Sequence, residues 1–222
     1  PEMFAIHHFP LILLPVNDVF FEIEDAMNGR ICLFLLGISL ASDAAMAMSA
    51  EERVASQCST CHGAQGQASS PIFPSLAGQN REYLVKQLQD FKAGRRKSET
   101  MSPQVADLSP ADIEGLAEFF SSKPARVHRV SDEELLPVGR YIYRKGNTYS
   151  GVPACTECHG ETGHGTQKLP RLAGQNSRYL LTQLKEFTQR SRTNDNAVMH
   201  LVASRLTELE AKAVADYLAQ LP

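Results

Sequence analysis

The apolar positions of this chain recur at helical spacing, and they do so twice. Leu84, Leu88 and Phe91 stand at i, i+4 and i+7, and Leu180, Leu184 and Phe187 repeat the pattern 96 positions later. Asn80 and Asn176 sit where an N-cap is expected for these two helices. A later stripe, Ile113, Leu116, Ala117 and Phe120, follows Ser109-Pro110, a serine N-cap with proline at the first helical position. Its counterpart begins at Thr207, where Glu210 completes a capping box, and continues through Val214, Tyr217, Leu218 and Leu221. Earlier helices are predicted from about Ala50 into Cys58 and from about Leu136 through Tyr143, each expected to end where the cysteine motif of its copy sits. Every predicted element is helical, so the fold class is all-α.

The repetition extends to the loops. Pro74-Ser75-Leu76-Ala77-Gly78-Gln79-Asn80 matches Pro170-Arg171-Leu172-Ala173-Gly174-Gln175-Asn176, and Tyr83 and Gln87 match Tyr179 and Gln183. Self-similarity at one offset is read as tandem duplication of a domain. Residues 121–137 carry Pro124, Ser131, Pro137 and several charges without an apolar period. The expected division is a first domain at 48–124, a linker at 125–137 and a second domain at 138–222. Domains of roughly 80 residues seldom enclose a sufficient core unaided, so each is expected to fold around something apolar.

Each copy carries a candidate for that centre. Cys58-Ser59-Thr60-Cys61-His62 and Cys155-Thr156-Glu157-Cys158-His159 are both C-x-x-C-H runs, each followed by glycine. This is the pattern of covalent c-type haem attachment. Two thiols must reach two vinyl groups on one porphyrin edge, and the next residue must place an imidazole beneath the iron. Positions i, i+3 and i+4 of a helical turn lie on one face and satisfy all three demands. Two alternatives compete. Four thiolates could hold zinc, but zinc ribbons separate their pairs by roughly 15–20 residues, whereas these begin 97 apart. Two short disulfides would suit an exported chain, yet neither they nor zinc explains a histidine after both pairs.

Cys58, Cys61, Cys155 and Cys158 therefore bind two haem c groups, with His62 and His159 as proximal ligands. For the sixth position, Met101 lies 39 residues after His62 and Met199 lies 40 after His159. They are the only methionines beyond position 48. A lone buried methionine is usually packing, but one per repeat at matched positions argues for ligation. Thioether ligation raises the reduction potential and closes the iron to substrates, which favours electron transfer over catalysis. His200 is the rival in the second copy; Ser102 stands at its place in the first. His164 falls in the glycine-rich loop and His128 in the linker. The carbonyls of Pro74 and Pro170 are placed to accept the Nδ1–H of the proximal histidines, a contact that raises ligand basicity.

Composition changes little: 43% hydrophobic and 21% charged, with no basic stripe or charge block to suggest nucleic acid. The N-terminus changes more. Met27-Asn28-Gly29-Arg30, the apolar run Ile31 to Leu40 and Ala45-Met46-Ala47 read as a secretory signal peptide, cleaved after Ala47 and preceded by extra sequence at 1–26. The alternative is an uncleaved extension or anchor. Cleavage would remove Cys32 and leave 21 basic against 19 acidic side chains.

These residues together resemble the dihaem cytochrome c4 family. The likeness rests on Pro153-Ala154-Cys155 through Gly160, the doubled Leu-Ala-Gly-Gln, the Tyr-Leu, Gln-Leu and Phe positions of the paired helices, and the two methionines, over about residues 49–222. It implies two tandem class I cytochrome c domains related by a pseudo-twofold, with His62 and Met101 on one iron and His159 and Met199 on the other. It implies a periplasmic electron carrier, not an enzyme, with possible peripheral membrane association. Its donor would be a quinol-oxidising complex or another reductant, and its acceptor a terminal oxidase. Two other functions fit a dihaem chain: the cytochrome subunit of a flavocytochrome dehydrogenase of the sulfide-oxidising type, and a dihaem peroxidase, against which two methionine ligands argue.

Overall fold

The computed structural model describes residues 48–130 and 133–222. The expected signal peptide, its expected cleavage point and Cys32 lie outside the described residues. Among those described, no helix is long and apolar enough to cross a membrane.

The first repeat consists of α1 (Ala50–Arg53), a π-helical turn (Val54–Cys58), α2 (Ser59–His62), α3 (Arg81–Lys92), α4 (Met101–Val105) and α5 (Pro110–Ser121). The second has α6 (Leu136–Lys145), α7 (Thr156–His159), α8 (Ser177–Thr188), α9 (Val198–Ala203) and α10 (Glu208–Gln220). In both, the first helix crosses the last, and the long middle helix packs on the last. The expected stripe of α5 is buried whole: Ile113, Leu116, Ala117 and Phe120 join Val54, Leu84, Phe91, Val105 and Leu108 in one core. A second core forms from Ile142, Tyr143, Val152, Leu180, Val214, Ala215 and Leu218. The capping box of Thr207 with Glu210 forms as read, and the Ser109 N-cap proves to be one as well, closed by Asp112.

Small residues set the crossing of first and last helix, in opposite places. In the second repeat Gly139 lies so close to α10 that a Cβ there would sit 2.0 Å from the Ala213 carbonyl oxygen. In the first repeat the glycine is on the last helix, Gly115, where a Cβ would meet that of Ala50 at 3.5 Å.

Two expectations need correction. The haem motif ends the first helical run in the first repeat only. In the second, α6 stops at Lys145 because Gly146 turns to φ 68°, a left-handed conformation that suits glycine. A loop closed by the Asn147–Val152 bridge then intervenes before Cys155. The Asn147 carboxamide holds this loop by accepting from the Tyr149 and Ser150 amides.

Asn80 and Asn176 do occupy N-cap positions, but neither side chain caps its helix. Both reach across to the other repeat. Asn80 Nδ2 donates to the carbonyls of His164 and Leu169 at 2.9 and 2.7 Å. Asn176 Nδ2 donates to those of Ser70 and Phe73 at 3.4 and 2.7 Å.

The repeats meet along the polar faces of α3 and α8. Arg96, stacked over Phe91, donates to Gln87 of its own repeat and to Tyr179 and Gln183 of the other. Arg192, stacked over Phe187, mirrors it with Gln183, then Tyr83 and Gln87. Both guanidiniums are buried, and their acceptors, with Asn194 added for Arg192, are neutral. Burial alone would raise the Tyr83 hydroxyl, but Arg192 and Arg96 beside it outweigh that and hold it below the usual phenol range.

Candidate haem sites

The helical turns place the motif side chains as the spacing requires. Cys58 precedes α2, which carries Cys61 and ends on His62. Cys155 precedes α7, which carries Cys158 and ends on His159. All four cysteines are free of disulfides. Among the described residues no three His, Cys, Asp or Glu side chains gather as a metal site, so the thiols do not converge as zinc would need. Burial raises the Cys58 thiol and pushes Cys155 up to about 11, which keeps both protonated at neutral pH.

The two histidines expected as proximal ligands, His62 and His159, are buried. The loop after each motif folds back because Gly66 and Gly163 adopt left-handed φ of 74° and 73°. The Gly66 carbonyl then accepts from the Leu76 and Ala77 amides, as Gly163 does from Leu172 and Ala173. This reversal carries the Pro74 carbonyl to 2.9 Å from His62 Nδ1 and the Pro170 carbonyl to 3.4 Å from His159 Nδ1. The expected contacts are present in both repeats. Burial lowers the pKa of each imidazole, partly offset by its proline carbonyl, so each ring is neutral at pH 7. With Nδ1–H donating, Nε2 is the nitrogen available to an iron.

Met101 opens α4, half-buried, and packs against the same core as Cys58 and Leu88. Met199 lies half-buried on α9. His200 beside it is engaged elsewhere: its Nδ1 is 2.9 Å from the Phe187 carbonyl, and its amide donates to Asp195. His164 is exposed, with Nε2 at 2.9 Å from the terminal Pro222 oxygen. His128 lies in the connection, its amide bonded to the Ala219 carbonyl and its Nε2 3.5 Å from Ser75 Oγ. The donor set of each repeat suits haem c: two thiols on one helical turn, a buried neutral imidazole oriented through Nδ1, and a half-buried thioether on a short helix.

Sequence reasoning gave no role to two glutamines at these sites. Gln79 Nε2 donates to the Arg171 carbonyl at 2.9 Å while its Oε1 accepts the Arg171 amide at 2.7 Å. Gln175 does the same to Ser75, with both distances 2.8 Å. The clue lay in the doubled Leu-Ala-Gly-Gln-Asn, a polar pair kept between a loop and a helix without a helical or catalytic reason.

Two family models divide the chain. Residues 45–120 match "Cytochrome C oxidase, cbb3-type, subunit III" and residues 143–222 match "Cytochrome c". Cytochrome c4 of Azotobacter vinelandii is 37% identical over 202 residues, covering 85% of this chain and 96% of its own length. The thiosulfate dehydrogenase electron acceptor of Thiomonas intermedia is 35% identical, covering 76% and 80% respectively. Among solved structures, reduced recombinant cytochrome c4 from Pseudomonas stutzeri superposes with a TM-score of 0.73 at 36% identity, over 78% of this chain and 97% of that one.

Proposed function

The chain belongs to the cytochrome c4 family of dihaem electron carriers, and on that premise we propose that it relays single electrons in the periplasm toward a terminal oxidase. Two covalently bound haem c groups serve it, one per repeat. Cys58 and Cys61 hold the first and Cys155 and Cys158 the second. His62 with Met101 ligates one iron, and His159 with Met199 the other.

One observation carries this reading. Each repeat presents a buried, neutral histidine tied through Nδ1 to a proline carbonyl, and one methionine at a matched position. When bound, haem supplies the one-electron couple. The protein orients the imidazole, keeps water from it and offers a thioether that raises the potential. A histidine and a methionine per repeat would hold the iron from both sides and leave no place for a substrate, which favours relay over peroxidase chemistry.

The name of the Thiomonas relative favours one specific donor as a second reading: a thiosulfate-oxidising dehydrogenase upstream of this carrier. The test begins with the haem-to-protein ratio of the holoprotein, expected to be two. Rapid-mixing reduction by a thiosulfate dehydrogenase and by a quinol-oxidising complex, followed by oxidation with a terminal oxidase, then identifies the partners. A ratio far from two, or no electron delivery to the oxidase, overturns the leading reading.

A further inference from the structure

The two glutamine clasps lie beside the proximal histidines in an exchanged arrangement. Gln175, from the second repeat, grips both the amide and the carbonyl of Ser75. Ser75 directly follows Pro74, whose carbonyl holds His62. Gln79, from the first repeat, grips Arg171 in the same way, and Arg171 follows Pro170, whose carbonyl faces His159. Both glutamines are buried.

A side-chain amide that closes a two-bond ring with one residue's backbone fixes that peptide in position and orientation. Here the gripped Ser75 and Arg171 N–H groups belong to the same planar peptide groups as the proline carbonyls that face the histidines. Such partners control ring orientation and ligand basicity. Gln175 Oε1 also accepts the Asn176 amide at 2.9 Å, and Gln79 Oε1 the Asn80 amide at 3.0 Å, so each glutamine is anchored at its own helix start before it reaches across.

We propose that Gln175 is a positioning residue for the His62 iron and Gln79 for the His159 iron, so that each repeat tunes the redox centre of the other. The proposal rests on the reading of His62 and His159 as proximal haem ligands. A firm Nδ1–H to carbonyl bond makes the imidazole more basic and favours ferric iron. Loosening the loop weakens that bond and favours ferrous iron. Docking of the repeats therefore lowers both potentials, through crossed contacts rather than through each domain's own residues.

The experiment is a spectroelectrochemical titration of the holoprotein, with each haem assigned to its repeat by NMR. The wild type is measured first; two methionine-ligated haems per chain confirm the underlying reading independently. Gln175→Ala is expected to raise the first haem by about threefold in its reduction equilibrium, where tenfold corresponds to 59 mV for one electron, and to leave the second unchanged. Gln79→Ala is expected to do the reverse. Gln175→Met, which keeps the side-chain volume, serves if the alanine variant does not load haem. Gln183→Ala loosens the same interface without touching either loop. It separates bracing from undocking, because it lacks the one-sided shift. The proposal is overturned if Gln175→Ala moves the second haem, moves neither, or reproduces the pattern of Gln183→Ala.

Discussion

Arg96 of the first repeat donates through Nη2 to Gln183 Oε1 of the second at 2.7 Å, and both residues are buried. The same oxygen receives Arg192 at 2.7 Å. One neutral carboxamide thus serves two buried cations, and neither guanidinium has a carboxylate within ion-pair distance among the described residues. Glu186 acts on Arg192 only from farther away, behind the effects of burial and the two tyrosines.

Gln183→Ala should therefore be costly out of proportion to its size. It removes an acceptor from two buried charges, and each charged hydrogen bond is worth about 1.5–3 kcal/mol. A loss of about 3–5 kcal/mol is expected, read as a lower urea midpoint of the holoprotein. Gln183→Glu keeps the acceptor and adds the missing anion, so it is expected to lose less than 1 kcal/mol or to gain. A glutamate variant weaker than the alanine variant would contradict this account.

The axial assignments predict a clean separation between adjacent residues. Met199→Ala should abolish the methionine–iron charge-transfer absorption of one haem and lower its potential, and Met101→Ala should do the same to the other. His200→Ala should leave both spectra intact. Its Nδ1 contact with the Phe187 carbonyl makes it a tether from α9 to α8, so a cost of about 1 kcal/mol in stability is the expected effect. Loss of the charge-transfer band in the His200 variant would instead make it the ligand.

Much of this was legible in the chain because it depends on local spacing. The apolar stripe of α5, its serine N-cap, the capping box of α10 and the paired motifs follow from positions close together in the chain. The proline carbonyls were also foreseeable, since Pro74 and Pro170 stand at matched distances from their histidines. What escaped was the contact between repeats. Asn80 satisfies every local criterion for a cap, yet its amide serves His164 and Leu169 from the other copy. Arg96 and Arg192 stand in polar stretches with no apolar period around them. No periodicity marks a residue whose partners lie some 90 positions away, and only the shared 96-residue offset gave a hint. The turn that separates α6 from its motif was missed because Gly146 interrupts a pattern its counterpart continues.

The two helix crossings predict opposite responses to one substitution. Gly139→Ala drives a methyl to 2.0 Å from the Ala213 carbonyl oxygen, backbone that cannot yield without separating α6 from α10. A loss of at least about 3 kcal/mol is expected, confined to the second repeat. Gly115→Ala meets only the Ala50 methyl at 3.5 Å, ordinary contact, and removes a helix-interior glycine. It should gain about 0.5–1 kcal/mol. Calorimetry of the two variants checks both signs.

Asp90 makes acid the selective solvent condition for the interface. Its carboxylate is buried on α3, where burial alone would raise its pKa. Hydrogen bonds from Lys86, Asn194 and Arg95 outweigh that and hold it below the usual carboxylate range. Asn194 belongs to the second repeat and donates at 2.7 Å; Lys86 also donates to the Asn194 carbonyl at 3.0 Å. Because the folded pKa is depressed, the stabilisation is fully present above the unfolded value of roughly 3.9. It is lost as pH falls from there through the lower folded value. The wild type should therefore lose stability below about pH 4 with a slope that Asp90→Asn flattens. At pH 7 the asparagine variant should be the weaker protein, by about 1–3 kcal/mol, since two charged donors lose their anion. Urea midpoints measured from pH 3 to 7 on both proteins check that the two curves converge in acid. Parallel curves would show that Asp90 does not carry the acid sensitivity.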